Sequence, residues 1–277
     1  MPINMNLNHF LAFVAAGLLA VTATPGPGQA YAAQAAAQIA PISHPTGLAL
    51  PAQGQAPSDQ NPPGQGGPTG TEAGERLYHK ADLLCPESPP MFCQTPEGPV
   101  SGLVFTLGTN SDQPPRPRLV AIESYRDGLP NGLGVLFGDD GEVFAAVTLK
   151  QGVFEGLEIQ FYDGGVGPGQ RIKGVLNWRN GKLDGLTYDF GEDGSHLTIE
   201  EFRDGLRDGT SVEYYPDGSV SSKTFYRLDA QEGQPRRYAP GELKEPIPNF
   251  LLTPQITETM AEILRLDGLS QRIPLPE

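Results

Sequence analysis

Residues 203–218 read Arg-Asp-Gly-Leu-Arg-Asp-Gly-Thr-Ser-Val-Glu-Tyr-Tyr-Pro-Asp-Gly. Gly205 and Gly209 stand four apart, Tyr214 follows nine residues after the first glycine, and Gly218 thirteen after it. Thr210, Val212 and Tyr214 alternate with their neighbours, the period of a strand with one buried face. Asp217-Gly218 then closes the strand with a strong short-range hairpin signal. One such stretch is a strand between two turns. Its recurrence decides the fold.

The same glycine spacing appears at Gly128 and Gly132, Gly152 and Gly156, and Gly181 and Gly185. First glycines step by 24, 29 and 24 residues (128, 152, 181, 205), the longer step absorbing the insertion Gly165-Val166-Gly167-Pro168-Gly169. Nine residues on stand Phe137, Phe161, Phe190 and Tyr214; seven on, Val135, Ile159, Tyr188 and Val212; five on, Leu133, Leu157, Leu186 and Thr210. A further glycine closes each strand at 141, 165, 194 and 218, three of them in Asp-Gly pairs. The second strand carries the inward column Val143, Ile172, His196 and Val220 and ends in Leu149, Trp178, Phe202 and Tyr226, with Tyr125 ending the strand before the first repeat. Internal repeats of this length mean stacked units. Here each unit is a hairpin, and the chained units predict a continuous antiparallel meander with the aromatics on one face. No apolar stretch of about 20 residues surrounds the glycine pairs, so they are turn glycines and not a membrane-helix packing motif. A degenerate unit, as expected at the end of an array, precedes the four: Gly98 and Gly102, then Leu103, Phe105 and Leu107 in alternation.

Tyr125-Arg126-Asp127-Gly128, Trp178-Arg179-Asn180-Gly181-Lys182-Leu183-Asp184-Gly185, Phe202-Arg203-Asp204-Gly205 and Tyr214-Tyr215-Pro216-Asp217-Gly218 together resemble MORN repeats, in particular the antitoxin-like bacterial variant. The resemblance covers Glu123 to Arg227. It implies an elongated, twisted antiparallel sheet used for protein or lipid contacts, without catalysis. The fold class expected is all-β: an elongated antiparallel sheet of tandem hairpin repeats, with a disordered N-terminal tether and a short C-terminal helix.

Outside the repeats the composition changes. Phe10 to Ala23 is an apolar run of signal-peptide length, broken by Pro25-Gly26-Pro27-Gly28 and followed by the small-residue site Ala30-Tyr31-Ala32. Residues 1–32 are therefore expected to be a signal peptide, although no Lys or Arg precedes the core. Residues 33–75 are Ala, Gln, Pro and Gly with almost no charge, a composition that buries too little apolar area to fold and predicts a flexible tether. A lead-in segment, 76–122, holds the degenerate repeat and both cysteines; the repeats occupy 123–230 and a tail 231–277. In the tail, Thr253-Pro254 marks a helix start, Ile256, Met260, Ile263 and Leu264 fall at helical spacing, and Gly268 marks the stop, giving an amphipathic helix over 254–267. It is read as a cover for the sheet, with docking to a partner as the alternative.

A secretory leader implies a secreted or periplasmic location, where Cys85 and Cys93 are expected to form one small disulfide loop; the alternative is two unrelated thiols. The net charge of −14 argues against nucleic acid and, after signal cleavage, against membrane contact. One positive feature stands out: Arg126, Lys150, Arg179, Arg203 and Arg227 recur two residues before each turn glycine or its equivalent. Stacked hairpins place them about 10 Å apart, two strand spacings each. They read either as solvated turn residues paired with neighbouring acids or as a stripe for an anionic ligand, with Trp178 as an aromatic anchor if exposed.

Catalytic signatures are missing. No Gly-x-Ser-x-Gly elbow occurs, residues 164–169 lack the Lys-Ser/Thr of a phosphate loop, and Glu200 and Glu201 point to opposite faces of one strand. The turns Asp139-Asp140-Gly141, Glu192-Asp193-Gly194 and Asp217-Gly218 lack a full calcium-loop motif. His79 and His196 are the histidines of the expected folded part, and His196, in an inward strand column, is read as a core or sheet-edge residue. No catalytic residue, cofactor or metal is expected. The function expected is an exported, non-catalytic binding or scaffold protein with a protein partner. Two alternatives are an antitoxin or immunity-like protein neutralising a toxin, and a purely structural envelope spacer.

Overall fold

The computed structural model describes residues 69–71, 75–86, 92–110, 112, 114–162, 166, 171–193, 196–248 and 254–276. The expected signal peptide and most of the expected tether lie outside them. The lead-in forms β1 (Thr69–Thr71), β2 (Glu75–His79), β3 (Gln94–Thr95), β4 (Gly98–Pro99) and β5 (Gly102–Thr109). The repeats follow as β6 (Pro117–Arg126), β7 (Leu129–Phe137), β8 (Val143–Lys150), β9 (Val153–Phe161), β10 (Ile172–Arg179), β11 (Lys182–Leu183) and β12 (Gly185–Phe190). They continue as β13 (Leu197–Arg203), β14 (Leu206–Arg207), β15 (Gly209–Tyr214), β16 (Val220–Arg227) and β17 (Ala230–Arg237), and the chain ends with helix α1 (Pro254–Ser270). Strand structure at residues 69–71 and 75 places the start of the sheet inside the stretch read as tether.

One long sheet runs in the order β1-β2-β5-β6-β7-β8-β9-β10-β12-β13-β15-β16-β17, with β11 beside β10, β14 beside β13, and β3–β4 as a separate small hairpin. From β5 onward every neighbour is antiparallel. The exception within the sheet is β2, which lies parallel to β5, Leu77 opposite Leu103. A parallel pair needs a long connection, and residues 80–101 supply it.

Two kinds of turn alternate. At one edge Asp127-Gly128, Gln151-Gly152, Asn180-Gly181, Asp204-Gly205 and Leu228-Asp229 all have positive φ. Positive φ at both central residues is the two-residue hairpin turn whose twist suits paired strands. At the other edge, Gly141 and Gly218 donate to the carbonyls of Gly138 and Tyr215, while Gly138 and Tyr215 donate to those of Glu142 and Ser219. With Gly141 and Gly218 also at positive φ, these are three-residue loops ending in a glycine bulge.

After this second kind of turn the strand carries one unpaired residue. Phe137 faces Val143 but Leu136 faces Ala145, and Tyr214 faces Val220 but Glu213 faces Ser222. Such a bulge reverses which face every later side chain occupies. The aromatics therefore divide between the faces, correcting the expectation of a single aromatic face. Phe137, Phe161, Phe190 and Tyr214 belong to the main core, whereas Tyr125 packs with Cys93, Val100 and Val104 on the far face. Trp178 lies on that far face too, three residues after the core residue Val175 in unbroken pairing with β9. In the third repeat the extra residue sits within the turn, since Gly191 bonds to His196, and Phe190 faces Leu197 with regular pairing beyond. Leu197, and not His196, therefore fills the core column. His196 sits 3.4 Å from Asp189 instead.

The main core lies between the sheet and the C-terminal tail. Tyr238, Leu243 and Ile247 pack on it, the Val220 N–H donates to the Leu243 carbonyl, and Lys223 pairs with Glu245 at 2.8 Å. Helix α1 then lies over β6 and β7. Its Ile256, Met260, Ile263, Leu266 and Leu269 are buried, while Leu264 is 44 % exposed. Gly268 remains helical and the helix runs to Ser270, one turn beyond the sequence expectation. The reason is that Leu266 and Leu269 still face the core, and an exposed glycine costs a helix only about 1 kcal/mol. Arg265 ties the helix to β2 through Glu75 at 2.8 Å.

Burial separates two adjacent helix residues that look alike in sequence. Ile263→Ala should cost about 2–5 kcal/mol, whereas Leu264→Ala should stay within about 1 kcal/mol. Equilibrium urea denaturation of the two variants checks this; equal costs would mean that the helix packs with another face.

Candidate functional site

The edge formed by the two-residue turns is built by a repeated hydrogen bond. Gly128, Gly152, Gly181, Gly205 and Asp229 donate their N–H groups to the carbonyls of Val100, Pro130, Phe154, Leu183 and Arg207, over 2.7–2.9 Å. Each acceptor sits two residues past the previous turn glycine, beginning with Gly98 of the degenerate unit. The turns therefore hang from one another in a ladder. A second contact recurs beside it: Ser101 Oγ, Glu155 Oε2 and Asp184 Oδ2 accept the backbone N–H groups of Asp127, Asn180 and Asp204. The third residue between paired glycines thus holds the following turn.

The second glycine of each pair sits where the strand bends. Six residues from Leu183 to Tyr188 oppose four from Val175 to Trp178, a two-residue excess that separates β11 from β12. Facing these glycines on the next strand are large side chains: Gly102 opposite Tyr125, Gly132 opposite Leu149, Gly156 opposite Trp178, Gly185 opposite Phe202, and Gly209 opposite Tyr226. An aromatic laid across a strand glycine covers backbone that the glycine leaves bare. Phe154 and Arg207 close over this row: the Phe154 ring is 5.0 Å from Trp178, and the Arg207 guanidinium lies 4.1 Å from the Tyr226 ring, in reach of a cation–π contact.

Trp178 is 5 % exposed and its indole N–H donates to Glu158 Oε2 at 2.8 Å. It is packed into the far face and offers no exposed anchor. Glu158 also accepts from Gln160 at 2.7 Å. Burial pushes the Glu158 carboxyl above the usual carboxylate range, against the pull of those two donors. Glu200, on the same far face, is raised by burial and drawn back by Arg207. Sequence reasoning missed both acids as a far-face row with Glu123, which the Lys80 ammonium approaches to 3.6 Å; a bulge-aware count of strand parity would have grouped them.

The basic column lies along the turn edge, all five residues exposed. Three are paired across their own turns: Arg179 with Asp184 at 3.1 Å, Arg203 with Asp208 at 3.0 Å, and Arg227 with Glu232 at 3.0 Å. The partners are the acids five residues on, and not the turn residues Asp127 and Asp204. Among the described residues Arg126 and Lys150 have no ion pair. Asn131 occupies the position of Asp184 and Asp208, and Glu155 is turned to the Asn180 N–H.

Cys85 and Cys93 are joined by a disulfide. Cys93 is fully buried beneath the first turn: its N–H donates to the Gly128 carbonyl, and the Tyr125 hydroxyl lies 4.0 Å from its sulfur. The pair thus fixes the lead-in against the start of the ladder. His79 stacks on Phe105 with ring centroids 4.8 Å apart. Among the described residues no His, Cys, Asp and Glu side chains converge as a metal site, and no helix is long and apolar enough to cross a membrane.

This alternation of ladder turn and bulged hairpin is the architecture of a repeat protein built to present an extended edge. The MORN-repeat model matches residues 124–143 and 201–220, the first and fourth units of the ladder, and the chain carries MORN repeats. Such repeats go with binding and in general not with catalysis. No curated protein matches the chain.

The raised Glu158 carboxyl has a consequence with a definite sign. A folded-state value above the unfolded one means that ionisation opposes folding, so stability falls as pH rises through that window. The window opens at the ordinary glutamate range and extends upward. Glu158→Gln removes the charge and leaves an oxygen for the indole. Its urea midpoint should gain on the wild type as pH rises above the ordinary glutamate range; a constant difference would show that Glu158 does not titrate against folding.

Proposed function

We propose that this chain is an exported, non-catalytic protein that binds a protein partner along its turn edge. The observation that carries the reading is the ladder itself, which holds five cations at regular spacing on a rigid edge. Rigid backbone support lowers the entropic cost of binding at such a surface. Both broad faces serve the protein's own packing: the tail covers one, and the large aromatics of the other are filled in by neighbouring turns. Export is supported by the apolar leader and by a disulfide, a bond that persists in oxidising compartments.

A second reading, a structural spacer, is favoured by one observation: Phe137, Phe161, Phe190 and Tyr214 are all buried, so the sheet needs no partner to complete its core.

Fractionation of the native host with mass determination of the N-terminus tests export. A mature chain beginning near Ala33 outside the cytosol is the expected result. An intact Met1 in the cytosol would overturn export and turn the search to a cytosolic toxin partner. Crosslinking from cysteines introduced at exposed turn positions would separate binding from spacing: no partner captured from any turn leaves the spacer reading.

A further inference from the structure

The cations of the turn edge are not equivalent, and this gives the edge a defined site. Resting on the turn-edge reading, we infer that the first two turns, at Arg126 and Lys150, bind an acidic, partly apolar extended segment of a partner protein. Arg179, Arg203 and Arg227 already have carboxylates at 3.0–3.1 Å. An external carboxylate there must displace an existing partner and gains little. At Arg126 the internal acid is replaced by Asn131, and at Lys150 the equivalent Glu155 bonds the next turn's backbone but, unlike Asp184, which does this and also pairs with its cation, forms no ion pair with Lys150. Two unpaired charges therefore stand on adjacent turns, about 10 Å apart by two strand spacings.

Apolar surface adjoins them. Val153, which pairs with Lys150 across the turn, is 44 % exposed, and Phe92, packed against the Gly128 turn, is 38 % exposed. The position equivalent to Val153 on the next turn is Lys182, so this juxtaposition belongs to the first two turns. An extended peptide advances about 3.3 Å per residue, so carboxylates three residues apart match the two cations, with apolar side chains flanking the pair for Phe92, beside the Gly128 turn, and for Val153, which reaches toward Gly181. The backbone ladder, Gly128 to Val100 and Gly152 to Pro130, keeps both turns in place before binding.

The probe is a fluorescent peptide with glutamates three residues apart and leucines on either side of them, titrated against the full chain by anisotropy at low salt. Vesicles of pure phosphatidylglycerol form a second arm. Saturable peptide binding is expected, lost at least tenfold in Arg126→Glu/Lys150→Glu and unchanged within twofold in Arg203→Glu/Arg227→Glu. Asn131→Asp supplies the acid found in the later repeats, so it should weaken binding severalfold without touching either cation. Circular dichroism and thermal melting of each variant establish that it is folded. Equal loss from both charge-reversal pairs would overturn a site at the first two turns while leaving the edge as the binding surface. Binding of vesicles but not of peptide would overturn the acidic protein segment in favour of an anionic headgroup. Failure of the wild type to bind either probe would overturn the inference and the basic-edge reading together.

Discussion

Everything in this fold hangs on one hydrogen bond repeated along an edge, from a turn N–H to the carbonyl two residues past the preceding turn glycine. For the bond to form, the donor must sit at the second position of a turn with two positive φ angles. Glycine takes that conformation freely, and Asp and Asn tolerate the position before it. The acceptor must then lie on a strand that bends immediately, which places the second glycine four residues on. The spacing of glycine pairs is thus the footprint of a hydrogen bond between neighbouring units. Strand pairing alone would permit other turn lengths; this bond does not.

That constraint explains what was legible in the sequence. Turn positions, the alternating columns and the degenerate unit at Gly98 all follow from glycine spacing, and each takes its place in the sheet. Face assignment did not follow, because it depends on single unpaired residues. Phe144, Lys173 and Ser221 are bulge residues in three repeats, and nothing in their side chains marks them. Trp178 was therefore expected beside Phe161 and stands behind it. The third repeat keeps its extra residue in the turn, which exchanges His196 for Leu197. In the helix, Leu264 and Leu266 are equally apolar; their burial is decided by where the helix crosses β6 and β7, a long-range fact. The charge column was visible, but its inequality was not: only geometry shows that Asp184 reaches both the next turn's N–H and its own cation whereas Glu155 reaches the N–H alone.

The two ends of the sheet are finished differently. A free edge strand is a template for pairing with another chain. The last strand, β17, carries Glu232, Pro235, Arg236 and Arg237, is exposed along nearly its whole length, and contains Gly233 at positive φ. Charge, a missing N–H and a local kink all discourage further pairing. The other end is β1, a strand of three residues antiparallel to β2, and so short an edge offers little to pair with. Growth of the sheet by addition of a second copy is disfavoured at β17.

The ion pair between Arg265 and Glu75 joins residues 190 apart in sequence, and it changes how the molecule assembles. A simple hairpin array can grow from any unit and be trimmed from either end, since each unit consults only its neighbours. Here the tail leaves the final strand, crosses the core and reaches the first ones, so the first strands of the sheet obtain their cover from a segment that follows the whole array. Closing so long a loop raises the contact order and slows folding. A chain of this design leaves β6 and β7 without their cover until helix α1 docks. The same closing step turns a row of separable hairpins into one cooperative body.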